Sequence, residues 1–263
     1  MNNLVLFDVD GTLTESRSGI KTKMLRALRE LARHSEIGFL TGSGLEYIKE
    51  QLWPALNDPI IKNNCHLLPC NGTEYVITSG EEEIIFTNIS HVVMEQEIGT
   101  GVFSELLEIL CTLQAEIVKE YKLPLAGNFI QNRTSMVNWC PIGRSSGRQA
   151  REAFVILDAA QNIREKYFKK LSEECKRRNI RISLKLGGDT SFDIYPLGWD
   201  KTYALKHFDK NEWNFWFVGD RCYPEGNDYE IFSLLKDTGR AYETSGPEET
   251  LEIIDFHILP ELL

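Results

Sequence analysis

Leu4-Val5-Leu6-Phe7-Asp8-Val9-Asp10-Gly11-Thr12 carries a continuous apolar run straight into a polar turn with two carboxylates. Apolar residues without alternation read as a strand buried on both faces, the habit of strands in a parallel sheet. Ligands of such sheets collect outside the carboxyl ends of the strands, so chemistry is expected where this run stops.

Downstream, Met24, Leu25, Leu28, Leu31 and Ala32 fall on one stripe at helical spacing. Ile37-Gly38-Phe39-Leu40 predicts a second strand ending in Thr41-Gly42-Ser43-Gly44, and Leu45, Ile48 and Leu52 mark the helix after it. This alternation implies right-handed crossovers and a parallel sheet. Asn71-Gly72 is a turn signal, and Tyr75-Val76-Ile77 and Ile84-Ile85-Phe86 flank a second turn at Ser79-Gly80, which predicts a hairpin leading out of the core.

The pattern then changes. Phe103, Leu106, Leu107, Leu110, Leu113 and Ile117 predict a long helix, and strand-like pieces follow around Phe129 and Met136-Val137. Tyr167, Phe168, Leu171 and Cys175 predict a second helix, and Ile182-Ser183-Leu184-Lys185-Leu186 alternates as a half-exposed strand should. After Pro196-Leu197-Gly198 the core signature returns, with a helix from Lys201 and the strand Phe215-Trp216-Phe217-Val218 ending in Gly219-Asp220. The expected architecture is α/β: a Rossmann-type parallel-sheet core in two parts, 1–86 and 197–263, interrupted by an α+β cap over 87–196.

A net charge of −10 opposes a general role on nucleic acid or an anionic membrane, and no apolar run reaches the ~18 residues of a spanning helix. The 6 cysteines include no CxxC pair, and no basic-then-apolar leader precedes Leu4. Neither a zinc site nor secretion is expected, and reduced thiols in the cytoplasm are the simplest reading. The 5 histidines fall in no ligand spacing and read as structural or exposed. Trp139, Trp199, Trp213 and Trp216 read as packing residues, and Glu81-Glu82-Glu83 as a solvated turn.

Asp8 and Asp10, two positions apart, point the same way if the backbone is still extended. Such a pair repels, and a hard cation with oxygen ligands relieves the repulsion; Asp220, ending a neighbouring strand, can supply a further carboxylate. Gly11 permits a sharp turn, Thr12 and Ser43 offer hydroxyls beside turn N–H groups, and Lys201 adds a cation. This set suits phosphoryl transfer in which one carboxylate attacks phosphorus and the other exchanges a proton with a hydroxyl. A lone aspartate at a strand end is usually a turn residue or a cap; it is the joint occurrence at several element ends that favours chemistry.

Asp8-Val9-Asp10-Gly11-Thr12, Ser43, Lys201, and Gly219-Asp220 with Asn227-Asp228 resemble the motif set of the haloacid dehalogenase superfamily. Pro141-Ile142-Gly143-Arg144-Ser145, Ser191-Phe192-Asp193, Gly198-Trp199-Asp200-Lys201 and Gly226-Asn227-Asp228-Tyr229-Glu230-Ile231-Phe232 narrow the likeness to eukaryotic phosphomannomutases, over nearly the whole chain. The resemblance implies Asp8 as nucleophile, Asp10 as general acid/base, and Lys201 and Ser43 as further catalytic groups. It also implies Mg²⁺ held by Asp8, the Asp10 main-chain carbonyl and Asp220, with Asn227 and Asp228 against the metal. Arg17 near the nucleophile, and Arg133, Arg144, Arg151, Ser191 and Asp193 in the cap, are then the sugar-phosphate ligands.

The implied reaction interconverts mannose 6-phosphate and mannose 1-phosphate, with a hexose 1,6-bisphosphate as activator, in a cytoplasmic homodimer joined through the cap and serving GDP-mannose synthesis. Cys70 stands where the family tends to have Glu, and Leu234 where an acidic ligand of an accessory metal is expected. A sugar-phosphate phosphatase would share the core groups and differ in letting water take the phosphoryl group. Three cap arginines favour the mutase, which needs a cationic seat for the phosphate that is not reacting. A catalytically dead phosphate-sensing module has no need for Asp8 and Asp10 side by side.

Overall fold

The computed structural model describes residues 1–263, which divide into two compact units: Met1–His91 with Asp200–Leu263, and Val92–Trp199. The first part of the core contains β1 (Asn2–Phe7), α1 (Thr22–Leu31), β2 (Glu36–Leu40), α2 (Leu45–Leu56), α3 (Pro59–Asn63), β3 (Cys65–Leu68), β4 (Glu74–Ser79) and β5 (Ile85–His91). The cap contains α4 (Met94–Ile98), α5 (Thr100–Glu120), β6 (Ile130–Asn132), β7 (Val137–Trp139), α6 (Arg148–Gln161), α7 (Ile163–Arg177), β8 (Ile182–Gly187) and β9 (Ser191–Pro196). The core resumes with β10 (Trp213–Gly219), α8 (Tyr229–Leu235), β11 (Ala241–Glu243), α9 (Pro247–Ile253) and α10 (Leu259–Leu262).

The core sheet has seven strands in the order β11-β10-β1-β2-β3-β4-β5. Pairing is parallel from β11 to β3, and β4 and β5 are added antiparallel. β1 pairs with β10 from Asn2↔Trp213 to Phe7↔Val218 and with β2 from Leu4↔Glu36 to Phe7↔Phe39. Its alternate side chains feed two cores. Val5 and Phe7 pack with Met24, Leu28, Ile48 and Leu52 on one face, while Leu4 and Leu6 pack with Leu40, Leu68, Phe217 and Ile231 on the other. Burying each is worth roughly 1.5–3 kcal/mol, so register is strongly fixed at the strand that ends in Asp8.

The cap sheet is antiparallel, in the order β6-β7-β9-β8. α5 buries Phe103, Leu106, Ile109, Leu110, Leu113 and Ile117, and α7 buries Ile163, Tyr167, Leu171 and Cys175. Trp139 and Phe192 stack at 4.7 Å between ring centroids, as packing residues do.

The sequence reading left several short elements unread, β3, α3, α4, α8, β11, α9 and α10 among them, and three further differences have a physical reason. β5 stays paired with β4 as far as His91, beyond the hairpin end read at Phe86, because the backbone ladder continues where the apolar signal stops. α6 had no helical signature: it buries only Phe154 and leaves Ile156 exposed, so no apolar stripe marks it. The helix from Lys201 is a 3₁₀ helix, Lys201–His207, capped by the Asp200 carboxylate on the Thr202 N–H.

Candidate active site at the carboxyl ends of the core strands

Asp8 follows β1 directly and Asp220 follows β10, so neighbouring parallel strands deliver two carboxylates to one edge. Asp228, in front of α8, and Lys201, at the start of the 3₁₀ helix, complete the cluster. The Lys201 ammonium is fully buried and donates to Asp8 Oδ1 and, at 2.5 Å, to Asp228 Oδ1. Asp228 Oδ2 accepts from the Arg221 N–H at 3.0 Å, which locks that carboxylate. Two glycines make room. Gly11 has φ +82°, and a Cβ there would run into the Asp220 carboxylate; a Cβ on Gly219 would lie 2.7 Å from Asp228 Oδ2.

Asp8, Asp220 and Asp228 offer ligand oxygens that all lie within 4.8 Å of one another. Burial pushes the Asp8 carboxyl well up, Lys201 opposes this, and the charges of Asp228 and Asp220 add to it. Asp220 is pushed up to about 6 by burial and then by Asp228. Burial alone would lower the Lys201 ammonium, but Asp228 and Asp8 outweigh it and raise it. Against three carboxylates stand the Lys201 ammonium and, 3.6 Å from Asp220 Oδ2, the Arg221 guanidinium, which still leaves negative charge in a buried place that a divalent cation would offset. Two more oxygens fit that reading: Asn227 Oδ1 and Thr12 Oγ1 are buried with no hydrogen-bond partner.

Asp10 stands apart from the cluster. Its Oδ1 accepts from the Arg17 main-chain N–H at 2.9 Å, from Gln51 Nε2 at 3.2 Å and from the Tyr47 hydroxyl at 3.3 Å. Arg17 thus meets Asp10 through its backbone, at φ +59°, while its side chain is exposed. Ser43 is half-buried in the loop between β2 and α2, with its carbonyl held by the Cys70 N–H at 2.9 Å. Asn71 N–H holds the Thr41 carbonyl at 2.8 Å, and Cys70 and Asn71 both adopt left-handed backbone, at φ +50° and +63°. Non-glycine residues held there cost about 1–3 kcal/mol each, a strain that clusters at working loops.

In the cap, Asn138 on β7 ties together two of the residues picked from the sequence. Its Nδ2 donates to Asp193 Oδ1 at 2.7 Å and to Ser191 Oγ at 3.1 Å. Arg133 Nη1 lies 3.8 Å from Asp193 Oδ1. Arg151 is engaged through all three nitrogens: Nε with the Ser146 carbonyl at 3.0 Å, Nη1 with Thr190 Oγ1 at 2.7 Å and Nη2 with the Arg144 carbonyl at 2.9 Å. Arg151 therefore builds the turn on which the half-buried Arg144 stands. The groups form two sets, Arg133 with Ser191 and Asp193, and Arg144 with Arg151. Sequence reasoning missed Asn138, Tyr47 and Gln51; only the i,i+4 spacing of the last two on α2 hinted that they share a face.

Residues 24–259 match the family described as eukaryotic phosphomannomutase. The chain belongs to that family. A phosphomannomutase of Dendrobium officinale is 32% identical over 257 residues, covering 97% of this chain and 94% of that one. A phosphomannomutase of Encephalitozoon cuniculi is 35% identical over 257 residues, covering 96% and 92%. The IMP-bound IMP-nucleotidase mutant of Plasmodium falciparum superposes with a TM-score of 0.65 at 15% identity, covering 100% of this chain and 67% of that one. That likeness concerns the fold alone, an α/β architecture whose core sheet is mainly parallel.

Proposed function

We propose that this chain interconverts mannose 6-phosphate and mannose 1-phosphate through an aspartyl phosphate on Asp8 and a hexose 1,6-bisphosphate intermediate. The observation that carries the reading is Asp8 itself, a buried carboxylate at the end of a central parallel strand, paired with a fully buried lysine. Membership of the eukaryotic phosphomannomutase family supplies the substrate class.

In the first half-reaction an Asp8 carboxylate oxygen attacks phosphorus, and the bond from phosphorus to the sugar oxygen breaks. Asp10 gives that oxygen a proton. In the second half-reaction a hydroxyl of the hexose monophosphate attacks the aspartyl phosphate, its proton passes to Asp10, and Asp8 is freed. Lys201 offsets charge at Asp8 throughout, and Ser43 offers its hydroxyl to the phosphoryl oxygens. Mg²⁺ would be held by Asp8, the Asp10 main-chain carbonyl and Asp220, with Asn227 and Asp228 against it, and when bound supplies positive charge to the transferring group. Arg17, Arg133, Arg144, Arg151, Ser191 and Asp193 bind the sugar phosphate, with the cap arginines seating the phosphate that is not reacting. Hexose 1,6-bisphosphate primes the enzyme, and the product serves GDP-mannose synthesis in the cytoplasm, with the enzyme acting as a homodimer joined through the cap.

The alternative, a sugar-phosphate phosphatase, differs only in the acceptor of the second step. The test is a coupled assay with mannose 1-phosphate and with glucose 1-phosphate, each with and without a hexose 1,6-bisphosphate. Isomerisation stimulated by the bisphosphate and abolished in Asp8→Asn is expected. Phosphate release without isomerisation would establish the phosphatase instead, and an Asp8→Asn variant within tenfold of wild type would remove Asp8 as nucleophile.

A further inference from the structure

All three donors that reach the Asp10 carboxylate converge on Oδ1, and Oδ2 accepts no hydrogen bond. Gln51 supplies one of them. It is 2% exposed, and its amide oxygen is engaged by the Thr14 hydroxyl at 2.7 Å. The Thr14 hydroxyl has a second acceptor, the Val9 carbonyl at 3.2 Å, and its shorter contact with Gln51 leaves the amide nitrogen toward Asp10, where a flipped amide would set its oxygen against a carboxylate oxygen. The Gln51 main-chain carbonyl also accepts the Ile20 N–H at 3.0 Å, so one residue holds the segment after Asp10 by both backbone and side chain. Tyr47 and Gln51 lie one turn apart on α2, which starts directly after the Ser43 loop.

We infer that Gln51, oriented by Thr14, is a positioning residue that fixes which oxygen of Asp10 carries the transferable proton. The inference rests on the assignment of Asp10 as acid/base proposed above. In a neutral carboxylic acid the carbonyl oxygen accepts hydrogen bonds and the hydroxyl oxygen donates. Three donors on Oδ1 make it the carbonyl oxygen and leave the proton on Oδ2. As the bond between phosphorus and the sugar oxygen breaks, the Oδ2 proton passes to that oxygen, and Asp10 becomes a carboxylate. In the reverse direction Oδ2 takes the proton from the attacking hydroxyl. Without the Gln51 amide, Oδ1 keeps only the Arg17 N–H at 2.9 Å and the Tyr47 hydroxyl at 3.3 Å, so the carboxyl group is held less firmly about its Cβ–Cγ bond and the donor oxygen is less sharply defined. Gln51 is buried and its amide is spent on Thr14 and Asp10, so its effect is confined to steps that need a proton.

The test compares wild type, Gln51→Leu, Thr14→Val and Thr14→Ser in two first-turnover reactions. One is release of hexose monophosphate from a hexose 1,6-bisphosphate, whose leaving alkoxide needs a proton. The other is the burst of p-nitrophenolate from p-nitrophenyl phosphate, which leaves unprotonated. Gln51→Leu is expected to slow the first about tenfold or more, a part of the ~10²–10⁴-fold that a positioned acid contributes, and to leave the burst within about twofold. Thr14→Val, nearly isosteric, should show the same pattern more weakly, and Thr14→Ser should restore wild-type behaviour. Equal slowing of both reactions, which a structural role would give, overturns the inference, as does no slowing of either. If wild type forms no phosphoenzyme from either ester, the proposed function falls and this inference with it, an outcome that the wild-type arm alone identifies.

Discussion

In the core, the charged groups stand at the ends of strands and pair with one another: Lys201 lies against Asp8 and Asp228, and Asp220 comes from the next strand. In the cap, they stand on an antiparallel sheet, on turns and, for Arg151, in α6, and the arginines hold backbone carbonyls and hydroxyls as much as carboxylates. The core arrangement concentrates buried charge beyond what its own lysine offsets. The cap arrangement pairs its charged groups within itself, though Asn138 Oδ1 is buried with no partner. Under the proposed function, the difference separates a site suited to stabilise charge that develops on phosphorus from one suited to hold a finished anion or a sugar hydroxyl in place.

The sharpest way to break this contrast is Lys201→Met. It leaves Asp8 and Asp228 buried without their ion-pair partner, which costs about 3–5 kcal/mol. Turnover should fall by at least ~10²-fold, the scale for removing one electrostatic group. Chemical denaturation and steady-state kinetics measure the two effects, and an unchanged midpoint would mean that the lysine is not balancing those carboxylates.

The next test uses pH. Asp220 titrates at about 6 in the folded chain against 3.8 for the free group. A raised carboxyl pKa means that the folded state keeps a proton the unfolded chain has lost, so its stabilising contribution is present below pH ~4 and is lost as pH rises through ~6. The loss is on the order of 2–3 kcal/mol. A divalent cation should restore stability only where the carboxylates are ionised. The rise in Tm on adding Mg²⁺ is therefore expected to be several degrees at pH 7.5 and close to zero at pH 4.5. A shift of the same size at both values would place the ion elsewhere.

A smaller effect is expected at Arg144. Arg144→Ala should lower mutase turnover about tenfold while leaving hydrolysis of p-nitrophenyl phosphate within about twofold, because the small ester needs no second phosphate seat. A common factor on both activities would remove the distinction between the units. The smallest effect belongs to Asn138→Ala, which takes away the donor shared by Ser191 and Asp193. A rise in KM of about threefold to tenfold with kcat nearly unchanged is expected, the signature of lost uniform binding. A fall in kcat alone would assign Asn138 to the chemical step.

The contrast also explains what was legible beforehand. β1, β2 and β10 announce themselves because strands buried on both faces leave unbroken apolar runs, and Asp8 and Asp220 follow β1 and β10 immediately in sequence. The fold class was readable for the same reason. The donors around Asp10 were not, since Tyr47 and Gln51 sit within an otherwise ordinary amphipathic helix, and nothing in their spacing names their acceptor. Asn138 lies in a three-residue strand that carries no periodicity to read. α6 escaped because it buries a single large side chain. Polar residues that work by holding other residues leave no compositional trace until the chain is folded.

Lys201 and Asp8 are 193 residues apart, and the whole cap lies between them in the chain. On the ribosome, β1 and Asp8 emerge long before the lysine that neutralises them and before β10, whose six register pairs flank β1 on one side. The cap, contiguous from Val92 to Trp199, can complete its own sheet during synthesis, while the core waits for its long-range pairing. A nascent or truncated chain that stops at the cap therefore carries an unpaired β1 edge and an Asp8 without its lysine. The carboxylate cluster is one of the last things the chain assembles, and its closure marks a polypeptide that has been made at least as far as Asp228.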